Sequence, residues 1–176
     1  NIYRCMHGVP DLTWDDALST EAQACAEVLN ENSTSASPKH CDGSEAVNGA
    51  KSGEIVDYYQ KGDEAVKDWY QEIDKTTRYA LVDSLSDSVS RKTGRYAQVV
   101  WKATTKLGCG SAGRTSIGYK VWVCKYGPAG NIDGQFAGNV NRPVKNVTEC
   151  GGAAGDAGKG SPALSAVEVQ SVLGMH

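Results

Sequence analysis

Few side chains in this sequence are equipped for acid–base or metal chemistry near neutral pH. There are three histidines, His7, His40 and His176. His176 is the last residue, and His7 adjoins the turn Gly8-Val9-Pro10, where a packing or surface role is expected. His40, in His40-Cys41-Asp42, is left as the one imidazole base. No GxSxG nucleophile motif is present, and no CxxC pair gives zinc-ribbon spacing. Any chemistry would therefore have to come from carboxylates brought together in space, as general acid and base or as ligands.

The six cysteines are Cys5, Cys25, Cys41, Cys109, Cys124 and Cys150. An even number spread along a chain of this size reads as three disulfides formed in an oxidising compartment. The sequons Asn32-Ser33-Thr34 and Asn146-Val147-Thr148 agree with a secreted, glycosylated protein. The 176 residues suit one domain of about 1–150, followed by a Gly/Ala-rich tail or linker over 151–176. With 18 basic against 21 acidic residues and no basic run, nucleic-acid binding through phosphate neutralisation is not expected. No apolar run reaches the ~20 residues that span a bilayer. No signal peptide is visible, so a mature or trimmed chain is expected.

The elements that must position these groups show in the periodicity. Residues 1–7 suit a short helix. Thr13 reads as an N-cap, followed by a helix with Trp14, Leu18, Ala22, Cys25 and Leu29 on one face. Asp63 reads as the cap of another helix, with Val66, Trp69, Tyr70 and Ile73 as its buried stripe. Residues 75–93 have little period and read mostly as loop. Tyr96 to Trp101 carries no charge on either side, which predicts a central strand leading to a turn or close approach at Gly108. Tyr119 to Lys125 alternates as a second strand, making an antiparallel hairpin with the first. Cys109 and Cys124 are expected to bond across that hairpin. The other four cysteines permit three pairings; loop length favours Cys25–Cys41, and tethered termini favour Cys5–Cys150. Helices flanking such a sheet make an α+β, three-layer α-β-α sandwich with a mostly antiparallel sheet.

The stretch Gly94-Arg95-Tyr96-Ala97-Gln98-Val99-Val100-Trp101, with Thr104-Thr105 and Leu107-Gly108-Cys109 after it, resembles the first signature of the CAP superfamily. That superfamily groups cysteine-rich secretory proteins, antigen 5 and the group-one pathogenesis-related proteins, and its module is also called the SCP domain. Val121 to Ile132 is similar to a second signature, and His7 to Asp15 to the family's opening. Gly53-Glu54 and Trp69-Tyr70-Gln71-Glu72 match two further blocks in order. The resemblance covers roughly residues 1–140 and implies the same α-β-α sandwich.

It also implies a cavity. In the family two histidines and two glutamates line a pocket that often binds zinc or another divalent ion. Position by position, these correspond to His40, Glu54, Glu72 and, in place of the second histidine, Arg95. A guanidinium offers only donors, so the remaining His40, Glu54 and Glu72 are at most a weak metal set, and no cofactor is expected. Two glutamates facing one cavity would repel each other. Arg95 is expected to donate to one or both and so stand in for the ion.

Three functions follow as expectations. The first is a secreted, non-catalytic carrier of a sterol or fatty acid, since several relatives bind such ligands. Tyr58-Tyr59 would border its groove or lie in a solvent-facing loop. The second is an extracellular module that engages a protein or glycan. The third, a hydrolase using the paired carboxylates, is disfavoured by the loss of one cavity histidine.

Overall fold

The computed structural model describes residues 1–32, 40–41, 53–59, 61–75, 87–114 and 119–154. The element order is α1 (Ile2–Met6), β1 (Thr13–Trp14), α2 (Asp16–Asn32), β2 (Gly53–Tyr59), α3 (Gly62–Gln71), a 3-10 turn (Glu72–Lys75), α4 (Asp87–Val99), β3 (Lys106–Arg114), β4 (Tyr119–Gly127) and α5 (Phe136–Asn139). The sheet runs β1-β3-β4-β2. β1 is parallel to β3, whereas the β3–β4 and β2–β4 pairs are antiparallel.

Alternation along β4 divides the core into two. Val121 and Val123 meet Ala22, Cys25 and Ala26 of α2, with Val56 of β2, on one face of the sheet. Cys124 and Tyr126 join Trp69, Tyr70, Ile73, Tyr96, Val100 and Trp101 on the other. Helices on both faces give the α-β-α sandwich. The approach of α2 to β3 is unusually close. A Cβ on Gly108 would lie 2.1 Å from the Ser19 nitrogen, and one on Gly110 2.3 Å from the Gln23 nitrogen and Cα. Only glycine fits at either position.

Several sequence expectations are corrected. Tyr96 to Val99 are not strand but the last turn of α4. An uncharged run covered on all sides suits a buried helix as well as a buried strand, and periodicity cannot separate them. Leu107-Gly108-Cys109 lies within β3 rather than in a turn, so β3, and not residues 96–101, is the hairpin partner of β4. Thr13 does not cap a helix. With Trp14 it forms β1 (Trp14 is 58% exposed), and the Leu18 N–H instead donates to Asp15 Oδ1 at 3.0 Å, which makes Asp15 the cap. Asp63 sits inside the first turn of α3, which begins after Lys61 without a side-chain cap.

Tyr58 and Tyr59 belong to β2, an element the sequence did not reveal. The loop expected over 75–93 gives way to α4 from Asp87. The Asn32 side chain, the tail from 155 onward, His176 and the short helix considered at Ala163 to Leu173 lie outside the described residues. The three disulfides are Cys5–Cys150, Cys25–Cys41 and Cys109–Cys124. The last joins directly opposed residues of β3 and β4.

His7 is a buried member of the core. Its Nδ1–H donates to the Asn141 carbonyl at 2.5 Å, and Nε2 accepts from the Tyr70 hydroxyl at 3.0 Å. A carbonyl can only accept, which fixes this neutral tautomer. Burial, reinforced by the nearby Arg4 charge, pushes the imidazole pKa down to about 4 from its ordinary 6.5. The unfolded chain therefore takes up this proton first as pH falls. Stability is complete above pH 6.5 and declines by about 3 kcal/mol between 6.5 and 4. Urea midpoints measured across that window should flatten in His7→Gln; an unchanged slope would show that another group carries the dependence.

Candidate functional site

Alternation places Glu54 and Asp57 of β2 on opposite faces of the sheet. Glu54 shares the α2 side with Val56, and its side chain is 4% exposed. Oε1 accepts from His40 Nδ1 at 2.9 Å and from the Cys41 N–H at 3.1 Å. Oε2 lies 3.1 Å from Lys125 Nζ, on the residue directly opposite Glu54 in β4. It also lies 3.7 Å from Cys25 Sγ, a contact without a hydrogen because that sulfur is in a disulfide. Burial alone would raise the Glu54 pKa. The hydrogen bonds from His40 and Lys125 and the Lys125 charge outweigh it and hold the carboxyl below its usual range.

Glu72 begins the 3-10 turn after α3, and its side chain is 3% exposed. Its Oε2 accepts the backbone N–H of Arg95 at 3.0 Å and of Tyr96 at 3.3 Å. Its Oε1 accepts Nε of Arg95 and lies equally close to a terminal guanidinium nitrogen, both at 2.9 Å. The other terminal nitrogen of Arg95 pairs with Asp57. Desolvation works against this cation, but the charges of Glu72 and Asp57 more than compensate and raise its pKa. The Arg95 side chain remains 39% exposed, so the cluster opens to solvent on one side.

The four sequence-derived residues thus fall into two clusters. His40 and Glu54 meet Lys125 and the Cys25–Cys41 disulfide; Glu72 and Arg95 meet Asp57. Arg95 and Glu54 share neither a hydrogen bond nor an ion pair, so the second carboxylate on the guanidinium is Asp57. Asp57 lies in none of the matched motifs, and Lys125 lies in the second signature without being one of the cavity positions that the resemblance implies. The signal that could have found them is the alternation of β2 and β4, together with their register.

This donor set does not fit a zinc ion. Zinc wants about four nitrogen, sulfur or carboxylate ligands at a common point. Here each glutamate already ends on a fixed cation, and they belong to different clusters. Among the described residues, the one grouping with metal-like spacing is Cys25, Cys41 and Glu54. Its two sulfurs are bonded to each other and present no thiolate.

Arg4 is a further buried charge, and no motif or period marks it out. It donates to the carbonyls of Pro10 (2.7 Å), Val99 (3.1 Å), Trp101 (2.8 Å) and Thr104 (2.9 Å). Burial lowers its pKa to about 10. By holding the Val99 carbonyl at the end of α4 and those of Trp101 and Thr104 in the segment that follows, it ties down the end of the helix that carries Arg95. Gln98 secures the same end: its side chain accepts the Gly130 N–H at 2.8 Å and donates to Thr104 Oγ1 at 3.2 Å.

The family pattern described as "CAP: Cysteine-rich secretory protein family" matches residues 1–126. The chain belongs to the CAP family. It is 36% identical over 155 residues to "Secreted protein RBT4" of Candida albicans, covering 81% of this chain and 38% of that protein. It is 35% identical over 147 residues to human "Golgi-associated plant pathogenesis-related protein 1", covering 82% of this chain and 89% of that protein. Among solved structures, "Crystal structure of NaASP2 with Zn2+" superposes with a TM-score of 0.57 at 18% identity, covering 87% of this CAP chain and 88% of that one. "Structure of BmVAL-1" does so with 0.53 at 27% identity, covering 72% and 63%. This CAP chain spans less than two thirds of the fungal relatives, 38% of RBT4 and 52% of "Repressed by EFG1 protein 1". No helix among its described residues is long and apolar enough to cross a membrane.

Proposed function

We propose that this CAP protein is secreted and acts by binding a sterol or fatty acid rather than by turnover. The observation that carries the non-catalytic part is the internal neutralisation of both glutamates, Glu72 by Arg95 and Glu54 by Lys125, with His40 hydrogen-bonded to Glu54 as well. A general base needs a free lone pair, and a general acid needs a raised pKa. Glu54 is held below its usual range instead, and Glu72 is spent on a guanidinium and two backbone N–H groups. Three disulfides and the name of the relative RBT4 support an extracellular location. The lipid part rests on the family resemblance. Titration with a labelled sterol and a labelled fatty acid tests it: saturable binding of either supports the carrier. Absence of both favours the extracellular module that engages a protein or glycan. Hydrolysis of a peptide or glycoside panel, abolished in Glu72→Gln, would instead reinstate the hydrolase.

The same reading predicts the response to metal. Calorimetric titration of the oxidised protein with zinc should show no tight stoichiometric binding. Each carboxylate would have to exchange a fixed partner for the ion, and Arg95 cannot lose its proton to become a ligand. Stoichiometric binding that survives dialysis would contradict it.

A further inference from the structure

The turn that follows α5 is clamped to α1 on both sides. The N–H groups of Val144 and Lys145 both donate to the Met6 carbonyl, at 2.7 and 3.1 Å, and Cys150 is bonded to Cys5. Between these anchors lies the sequon Asn146-Val147-Thr148. Val147 is buried in the core, whereas Asn146 and Thr148 are exposed. The Asn146 N–H donates to Glu149 Oε2 at 2.7 Å, and the Glu149 N–H donates back to Asn146 Oδ1 at 2.9 Å. The Thr148 hydroxyl donates to the same Oδ1 at 2.7 Å. The side chain of Asn146 thus works entirely through its oxygen, and its Nδ2 donates to no group among the described residues.

We propose that Asn146 carries an N-linked glycan on Nδ2. In the transfer, the amide nitrogen bonds to the anomeric carbon of an oligosaccharide held on a polyprenyl pyrophosphate. The bond from that carbon to the phosphate oxygen breaks, the lipid pyrophosphate leaves with the electron pair, and one amide proton passes to a base. The product is still a carboxamide with an intact Oδ1, so the bonds from Thr148 and Glu149 both survive. Val147 anchors the turn inward while the sugar leaves from the opposite, solvent side. A sequon whose nitrogen was buried or engaged in the fold would have to give up that bond; this one gives up nothing.

The proposal rests on passage through the secretory route, so the test supplies that route independently. The full chain is expressed in a yeast host behind a secretion leader and recovered from the medium. The peptide spanning residues 145–149 is then examined by mass spectrometry, before and after amidase treatment in heavy-oxygen water. The expected result is a peptide predominantly glycosylated at Asn146, converted by the amidase to an oxygen-labelled aspartate at that position, and unmodified in Thr148→Ala. Secreted wild-type protein with this peptide predominantly unmodified would overturn the site. Retention of the chain in the cytosol of its own host would overturn the secretory reading instead. Should Thr148→Ala fail to be secreted, the wild-type peptide decides alone.

Discussion

Replacing Arg4 with methionine is expected to cost about 3 kcal/mol or more. Methionine keeps much of the stem's volume but removes every donor. The buried carbonyls of Val99 and Thr104 then lose the Arg4 donor, as does the more accessible Pro10 carbonyl, while the Trp101 carbonyl keeps the Thr104 N–H at 3.1 Å. Each buried orphan costs about 1–3 kcal/mol. Removing an uncompensated buried cation returns part of this, because the desolvation that lowers the Arg4 pKa to about 10 also penalises the folded state. Four bonds outweigh one desolvation, so the sum stays unfavourable. Arg4→Lys should fall between the two, since one ammonium keeps the charge but cannot reach four carbonyls. Urea denaturation orders the three proteins. If Arg4→Met matches wild type within about 1 kcal/mol, the carbonyl cluster does not hold α4.

The contrast between what could and could not be read beforehand follows from where each signal lies. The stripe Trp69, Tyr70 and Ile73 and the alternating Val121 and Val123 declare their elements, because one side of each is apolar and the other is not. The end of α4 and the two residues after it are buried on every side, from Tyr96 to Trp101, and so offer no contrast from which to read a period. β3 was hidden for the opposite reason. Its glycines lower strand propensity, yet Gly108 and Gly110 are what admit the backbone of α2. In the site, Glu54, Glu72 and Arg95 were visible through the family resemblance. Their division into two clusters was not, since it depends on the parity of β2 and on the Glu54–Lys125 register. Arg4, one basic residue in a five-residue helix, carries no local signal at all.

Glu72→Gln is expected to destabilise by about 2 kcal/mol, less than breaking a fully buried ion pair because Arg95 is 39% exposed and keeps Asp57. The substitution is nearly isosteric, so it isolates charge and hydrogen-bond polarity. In wild type both oxygens accept, Oε2 from the Arg95 and Tyr96 N–H groups and Oε1 from the guanidinium. The amide of glutamine must point its NH2 at one of these donor pairs, and either orientation sets donor against donor. With its amide oxygen toward the backbone, the fork of Arg95 loses its charge partner here and keeps only Asp57. With the amide reversed, the N–H groups of Arg95 and Tyr96 lose this acceptor and face an NH2 instead. Glu72→Ala opens a cavity as well and should be no milder. Because Arg95 and Glu72 act as one unit, Arg95→Met combined with Glu72→Gln should cost clearly less than the sum of the single changes. Strict additivity in that double-mutant cycle would mean that the guanidinium holds Glu72 in place without stabilising it.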